Sequence, residues 1–329
     1  MLSAILAFLA GMGLLAYFIS PSEWVVAVSQ VRRVDYLWGT GFFFLALLAM
    51  TVRWRACLAY RLAFVPAFHT LGVAMAGNLL IPGRSGEPLR VYALAERGFP
   101  PEIATSGVVQ ERLADQLFRL LFLALSLVLA GANGGPGANL RLLGILVGTL
   151  AVFAAVGLMV RYRIALARSS GRWFGRLPRL NADTVERFVR NTLTDLATMG
   201  SRPGGKQALI WGAISFGLSL VHTNFILDSF FGPESFVMAC VVMAFAPPTA
   251  AGKPGYYHFL LTASMVVFGA EREVALRAAV VLFFYQAVFY PLWGAAGWLL
   301  LRSGPRLGWT APALPETVSS PEDGAAPPQ

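Results

Sequence analysis

Two stretches bring together the charges that could handle an anionic group. The first runs Asn78-Leu79-Leu80-Ile81-Pro82-Gly83-Arg84-Ser85-Gly86-Glu87 and continues to Arg90. About twenty residues on, Glu111, Arg112, Asp115 and Arg119 recur along one stripe of a predicted helix that leads straight into an apolar run. Ser85 is placed to cap a helix starting near Glu87, and the free amides of that start, with Arg84 beside them, would make a cradle for a phosphate. Arg84, Glu87, Arg90, Glu111, Arg112, Asp115 and Arg119 total four positive and three negative charges. Charge at membrane depth is costly unless paired or solvated, so such a set marks a transport pathway or headgroup site, or a salt-bridge lock that closes one face, and a gate can be both.

A second interrupted segment, Ala246-Pro247-Pro248-Thr249-Ala250-Ala251-Gly252-Lys253-Pro254-Gly255, again puts Pro, Gly and charge where a membrane helix would continue. Backbone of this kind is tolerated in a bilayer only where protein or a water-filled cavity satisfies it, and a broken helix in each half points to a solute site between them. Lys253 is the candidate to meet a phosphate there. His222, His258 and Asp228 are candidates for proton coupling or for ordinary helix contacts, with Asp228 solvated near an outer end.

The elements that must position these residues are membrane helices. The chain has 329 residues, is 57% hydrophobic and only 13% charged, and has a mean hydropathy of +0.63. Apolar runs able to cross roughly 30 Å of hydrocarbon occur at 2–19, 36–52, 116–131, 142–160, 208–231 and 274–301. Segments 70–81 and 236–269 are too short or interrupted and read as re-entrant hairpins. The expected fold is an all-α polytopic membrane protein: about six full spans plus two interrupted re-entrant hairpins, about eight hydrophobic segments, arranged as an inverted repeat.

Residues 161–206 carry ten Arg or Lys against Asp183, Glu186 and Asp195, whereas 132–140 are neutral, which predicts a cytoplasmic basic loop with cytoplasmic N- and C-termini. Arg53, Arg55 and Arg61 fall on the same side and read as part of that orientation signal. Val185, Phe188, Val189, Thr192, Leu193, Leu196 and Met199 predict an amphipathic helix within the loop. The transmembrane domain is therefore 1–302, followed by a disordered cytoplasmic tail over 303–329, rich in Pro, Ala and Ser. Trp24, Trp38, Trp54, Trp293 and Trp298 read as interfacial anchors. Cys57 and Cys240 lie far from each other and from the histidines, so neither metal nor cofactor is expected.

The pattern Asn-x3-Pro-Gly-x-x-Gly-Glu-x-x-Arg at Asn78 to Arg90, followed by Glu-Arg-x-x-Asp at Glu111 to Asp115, resembles the lysylphosphatidylglycerol synthase transmembrane (flippase-like) family over most of the chain. In that family a second motif ends in Glu and a Tyr-Arg pair follows in the last span; the matching positions here are His258 and Tyr285-Gln286, so both charges differ. A divergent, hopanoid-associated subfamily is one implication. The resemblance implies movement of a lipid or lipid-linked anionic headgroup between leaflets of a bacterial cytoplasmic membrane. Its partners would be anionic or polyprenyl-linked lipids, with possible lipid-synthesis enzymes and no nucleic acid. The implied site comprises Asn78, Arg84, Glu87, Arg90, Glu111, Arg112, Asp115, Arg119, Lys253, His258 and Tyr285. No enzymatic activity is implied, since lysyl transfer in fused members belongs to a separate soluble domain. The other readings are an accessory subunit of a lipid-synthesis pathway and an enzyme that modifies a lipid headgroup.

Overall fold

The computed structural model describes residues 21–81, 85–132, 161–174, 203–246 and 254–303, with scattered positions elsewhere between 147 and 194. Ten α-helices are described: α1 (Pro21–Gln30), α2 (Arg33–Cys57), α3 (Phe64–Leu80), α4 (Gly86–Ala95), α5 (Pro101–Ala132), α6 (Arg163–Phe174), α7 (Pro203–Phe231), α8 (Ser235–Phe245), α9 (Pro254–Val267) and α10 (Arg272–Ser303). The chain is an all-α polytopic membrane protein. Among the described residues, four segments are long and apolar enough to cross a membrane: α2, α5, the run Gly204–Phe245 that opens with α7, and α10. The spans expected over 2–19 and 142–160, the amphipathic helix over 185–199 and the tail after Arg302 lie wholly or largely outside the described residues.

The two interrupted segments are helical hairpins. α3 has 17 residues and α4 has 10, or about 26 and 15 Å of helix, and neither reaches across roughly 30 Å. α8 and α9, with 11 and 14 residues, make the second pair. α3 begins at Phe64, six residues before the expected Thr70. Pro66 sits in its first turn, where a missing amide hydrogen costs nothing.

Packing relates the two halves as an inverted repeat. Each half reads span, hairpin, span: α2, α3–α4, α5 and then α7, α8–α9, α10. The opening spans α2 and α7 pack on each other, and each hairpin sends its first helix onto the closing span of the other half, α3 onto α10 and α8 onto α5. α2 and α7 are antiparallel, because Asp35 near the start of α2 meets Ser229 near the end of α7. The hairpins that follow them therefore enter from opposite ends.

Small residues permit the close approach of α3 and α10. A Cβ on Gly294 would lie 2.2 Å from the Cβ of Ala76, and one on Gly297 would lie 2.7 Å from the carbonyl oxygen of His69. Between apolar helices in lipid, association rests on such contact and not on a hydrophobic difference from the surroundings.

Candidate functional site

Glu111, Arg112, Asp115 and Arg119 fall within about 100° around the α5 axis, so one stripe faces α2, the first hairpin and α8 at once. Arg53 of α2 answers two of them, with Nη2 2.7 Å from Glu111 Oε1 and Nη1 2.7 Å from Asp115 Oδ1. Arg90 of α4 reaches the other oxygen of Glu111 at 2.5 Å. Arg112 bridges Glu87 at 2.8 Å and Asp115 at 2.9 Å. Arg90 and Glu111 are fully buried and Arg53 is 1% exposed. Charges at such depth persist only when each oxygen and each guanidinium has an answering partner.

Arg53 is the central residue that sequence reasoning missed. By sequence it belongs to the orientation signal with Arg55 and Arg61, yet its side chain turns inward and carries two of the five ion pairs in the cluster. Its neighbour Trp54 is likewise no interfacial anchor. That ring is fully buried and the Arg90 guanidinium lies 4.0 Å from its centroid, a desolvated cation–π contact of about 2 kcal/mol.

Behind this layer the break between α3 and α4 is organised differently from expectation. Ser85 makes no capping hydrogen bond. Instead the Gly86 amide donates to Asn78 Oδ1 at 2.9 Å, and Asn78 Nδ2 donates to Glu87 Oε1 at 3.3 Å. The start of α4 is thus answered from within, by the Asn78 side chain and by the Glu87 carboxylate in its first turn, which the helix dipole favours. The phosphate cradle expected there is not open at Gly86. Arg84 and Lys253 lie outside the described residues.

The cluster forms one end of a cavity of about 190 Å³ at the centre of the bundle. Arg53, Arg112, Asp115 and Arg119 line that end, while Glu87, Arg90, Glu111 and Asn78 do not reach the lining. The opposite end is aromatic, with Phe43, His222, Tyr285 and Tyr290. Arg119 of α5 crosses to the second hairpin and donates from Nη1 to the carbonyl of Ala246, directly after α8, so the closing span of the first half meets the second hairpin at the cavity. His222 Nδ1 donates to the Gly39 carbonyl at 2.9 Å. The Tyr285 phenol pairs with the Thr40 hydroxyl at 2.9 Å. His258 is buried outside the lining, its ring 4.9 Å from that of Phe283. Its neighbour Tyr257 lines the cavity instead and accepts a hydrogen bond from Gln286 Nε2 at 3.0 Å.

A second polar group holds the far end of the α2–α7 pair. Arg32 donates to Asp35 at 2.6 Å and also contacts Asp228, and Ser229 donates to Asp35 at 3.0 Å. Asp228 is therefore an ion-pair partner and not simply a solvated carboxylate, because the antiparallel pairing of α2 and α7 brings Arg32 over it. No group of metal-ligating side chains occurs among the described residues.

Paired hairpins entering from opposite ends, with a charged cavity among the helices, define a multi-pass helical membrane protein built as an inverted repeat. The chain belongs to the lysylphosphatidylglycerol synthase TM region family, which it matches over residues 2–294. That makes it a membrane protein of lipid metabolism or transport. No curated protein and no solved structure matches the chain.

Proposed function

We propose that this protein moves a lipid with an anionic headgroup between the leaflets of a bacterial inner membrane. The observation that carries this reading is the sign of the cavity. Three arginines, Arg53, Arg112 and Arg119, line it with one carboxylate, Asp115. Within that set the Nε–H groups of Arg53 and Arg112 are buried and have no acceptor among the described residues. A buried charged donor without an acceptor costs roughly 1–3 kcal/mol or more, and a phosphate brings several acceptor oxygens at once. At about 190 Å³ the cavity falls below the roughly 300 Å³ at which pockets begin to enclose a drug-sized ligand. It suits a headgroup, with the acyl chains left in the bilayer.

We assign the Arg53 end, the basic residues 161–206 and both termini to the cytoplasmic side on the charge bias. Alternation between the two hairpins then exposes the cavity to one side or the other, with the Arg53 cluster closing the first side and the Arg32–Asp35–Asp228 group the second.

Liposomes containing the purified protein and a labelled anionic lipid provide the test, read as the rate at which outer-leaflet quencher reaches label that started inside. Arg112→Ala is expected to slow exchange at least about tenfold while the protein remains monodisperse. Asp115 keeps its ion pair with Arg53 in that variant, and Glu87 keeps a hydrogen bond from Asn78. Native exchange rates in both Arg112→Ala and Arg119→Ala, or no exchange by folded native protein, would overturn the proposal.

A further inference from the structure

The cavity has two walls of unlike chemistry. α2 and α5 contribute the arginines and Asp115, whereas α9 and α10 contribute Tyr257, Tyr285, Gln286 and Tyr290, an uncharged set of phenols and one amide. Asp115 is the single carboxylate in the lining among the described residues, and both of its oxygens are already engaged, Oδ1 by Arg53 at 2.7 Å and Oδ2 by Arg112 at 2.9 Å. An ammonium group brought here would meet three guanidiniums and no uncommitted carboxylate. Protonation of His222 would only add to the positive sign.

Phe216 is already taken by the Arg53 guanidinium, 5.9 Å from its centroid, and the Tyr285 and Tyr290 rings do not offer an alternative berth for a cation. Tyr285 stacks on Tyr36 and on Phe289, with centroids 6.2 and 5.9 Å apart, and Tyr290 stacks on Phe43 at 6.0 Å. Their faces are turned to one another. A hydroxyl-bearing group fares differently. An amide both donates and accepts, as does a phenol, so the Gln286–Tyr257 pair can exchange hydrogen bonds with a neutral polyol. Ser219 and Thr223 of α7 add hydroxyls to the same lining.

Resting on the reading above, we infer that the headgroup is a phosphate carrying a small uncharged polyol of glycerol size, that headgroups bearing an ammonium are excluded, and that Gln286 is a specificity-determining residue. The arginine wall takes the phosphate and the neutral wall takes the hydroxyls.

The test compares four lipids with identical labelled acyl chains in the liposome assay: phosphatidylglycerol, phosphatidic acid, phosphatidylethanolamine and lysyl-phosphatidylglycerol. The native protein is expected to move phosphatidylglycerol at least about tenfold faster than either amine-bearing lipid, since a tenfold ratio needs only about 1.4 kcal/mol of discrimination. Gln286→Leu is expected to narrow the preference for phosphatidylglycerol over phosphatidic acid roughly three- to tenfold, the scale of one lost hydrogen bond. Gln286→Glu, which adds a carboxylate to the neutral wall, is expected to raise amine-lipid rates relative to phosphatidylglycerol by about the same factor. An amine-bearing lipid moved as fast as phosphatidylglycerol by the native protein, or an unchanged ratio in Gln286→Leu, would overturn the inference and leave the transport reading standing. If no lipid moves, a thermal-shift measurement on the detergent-solubilised protein separates the two. Stabilisation by glycerol phosphate and not by phosphoethanolamine supports the headgroup chemistry without the transport. Equal effects from both, or none from either, overturn the inference as well.

Discussion

Glu111→Gln is expected to cost about 3–5 kcal/mol of stability, the range found when one member of a buried ion pair is removed and the other stays behind. Glu111 is the shared partner of Arg53 and Arg90, at 2.7 and 2.5 Å, and all three side chains are buried. Without the carboxylate, Arg53 keeps Asp115, but Arg90 keeps only the Trp54 ring among the described residues. The buried foursome of Arg53, Arg90, Glu111 and Asp115 passes from neutral to one net positive charge. The cost arises from imbalance, not from lost contact area, and a double variant distinguishes the two. Arg90→Met combined with Glu111→Met keeps the volume and removes one charge of each sign, so it is expected to recover most of the loss. Thermal unfolding in detergent, followed by the fraction that stays monodisperse, measures both. Glu102→Gln, at an exposed position in the first turn of the same helix, serves as the control expected to do nothing. A single Glu111→Gln variant as stable as that control would remove the case for a charge-balanced foundation.

The cluster thus has two layers with different tasks. Glu111, Arg90 and Arg53 bind the first hairpin to α2 and α5, and their burial makes any change in partner expensive. Arg112 is the most exposed side chain of the five-pair network at 17%, and each carboxylate it touches has another partner. It can leave Asp115 for a phosphate with that carboxylate still paired to Arg53, and leave Glu87 with a hydrogen bond from Asn78. A lock and a site are then the same residues seen at different depths: the deep pairs hold the hairpin, and the shallow one trades partners.

The parts of this arrangement legible in the sequence were those carried by one helix or by one break. Glu111, Arg112, Asp115 and Arg119 share a helix, so their spacing alone put them on one stripe, and the Pro-Gly interruptions marked both hairpins because apolar periodicity stops there. What required the tertiary structure was every contact between segments. Arg53 was hidden among three arginines near a helix end, a pattern that also signals orientation, and only the packing of α2 on α5 distinguishes it from Arg55 and Arg61. The cap on α4 comes from Asn78 across the break and not from the adjacent Ser85, which no local rule foresees. In the second half, attention to charge singled out His258, while the cavity is reached by Tyr257, one residue earlier and on another face of α9. Tyr285, singled out through the resemblance, lines the cavity, but its partner Thr40 lies on the other half of the chain.

Gly86→Ala is expected to be at least as damaging as the loss of Glu111, although it adds a single methyl group. A Cβ at Gly86 would stand 1.9 Å from the Ala74 carbonyl oxygen and 2.6 Å from Asn78 Cγ. The first obstacle is backbone within α3 and cannot rotate aside. α4 must therefore move away from α3, and the methyl also presses on Asn78, whose displacement strips the Gly86 amide of its acceptor. The movement of α4 carries Glu87 and Arg90 with it, because those residues occupy its first turns. Arg112 then loses its Glu87 anchor and Glu111 its Arg90. The expected result is a poorly folded protein in detergent, and lost lipid exchange in whatever fraction survives. Gly41→Ala is the matched comparison: it lies within α2 with nothing within 4 Å of the added carbon, and alanine there should be neutral or stabilising by up to about 1 kcal/mol. Equal stability and exchange in the two variants would mean that the α3–α4 hairpin is not held at the contact distance on which the whole charge layer depends.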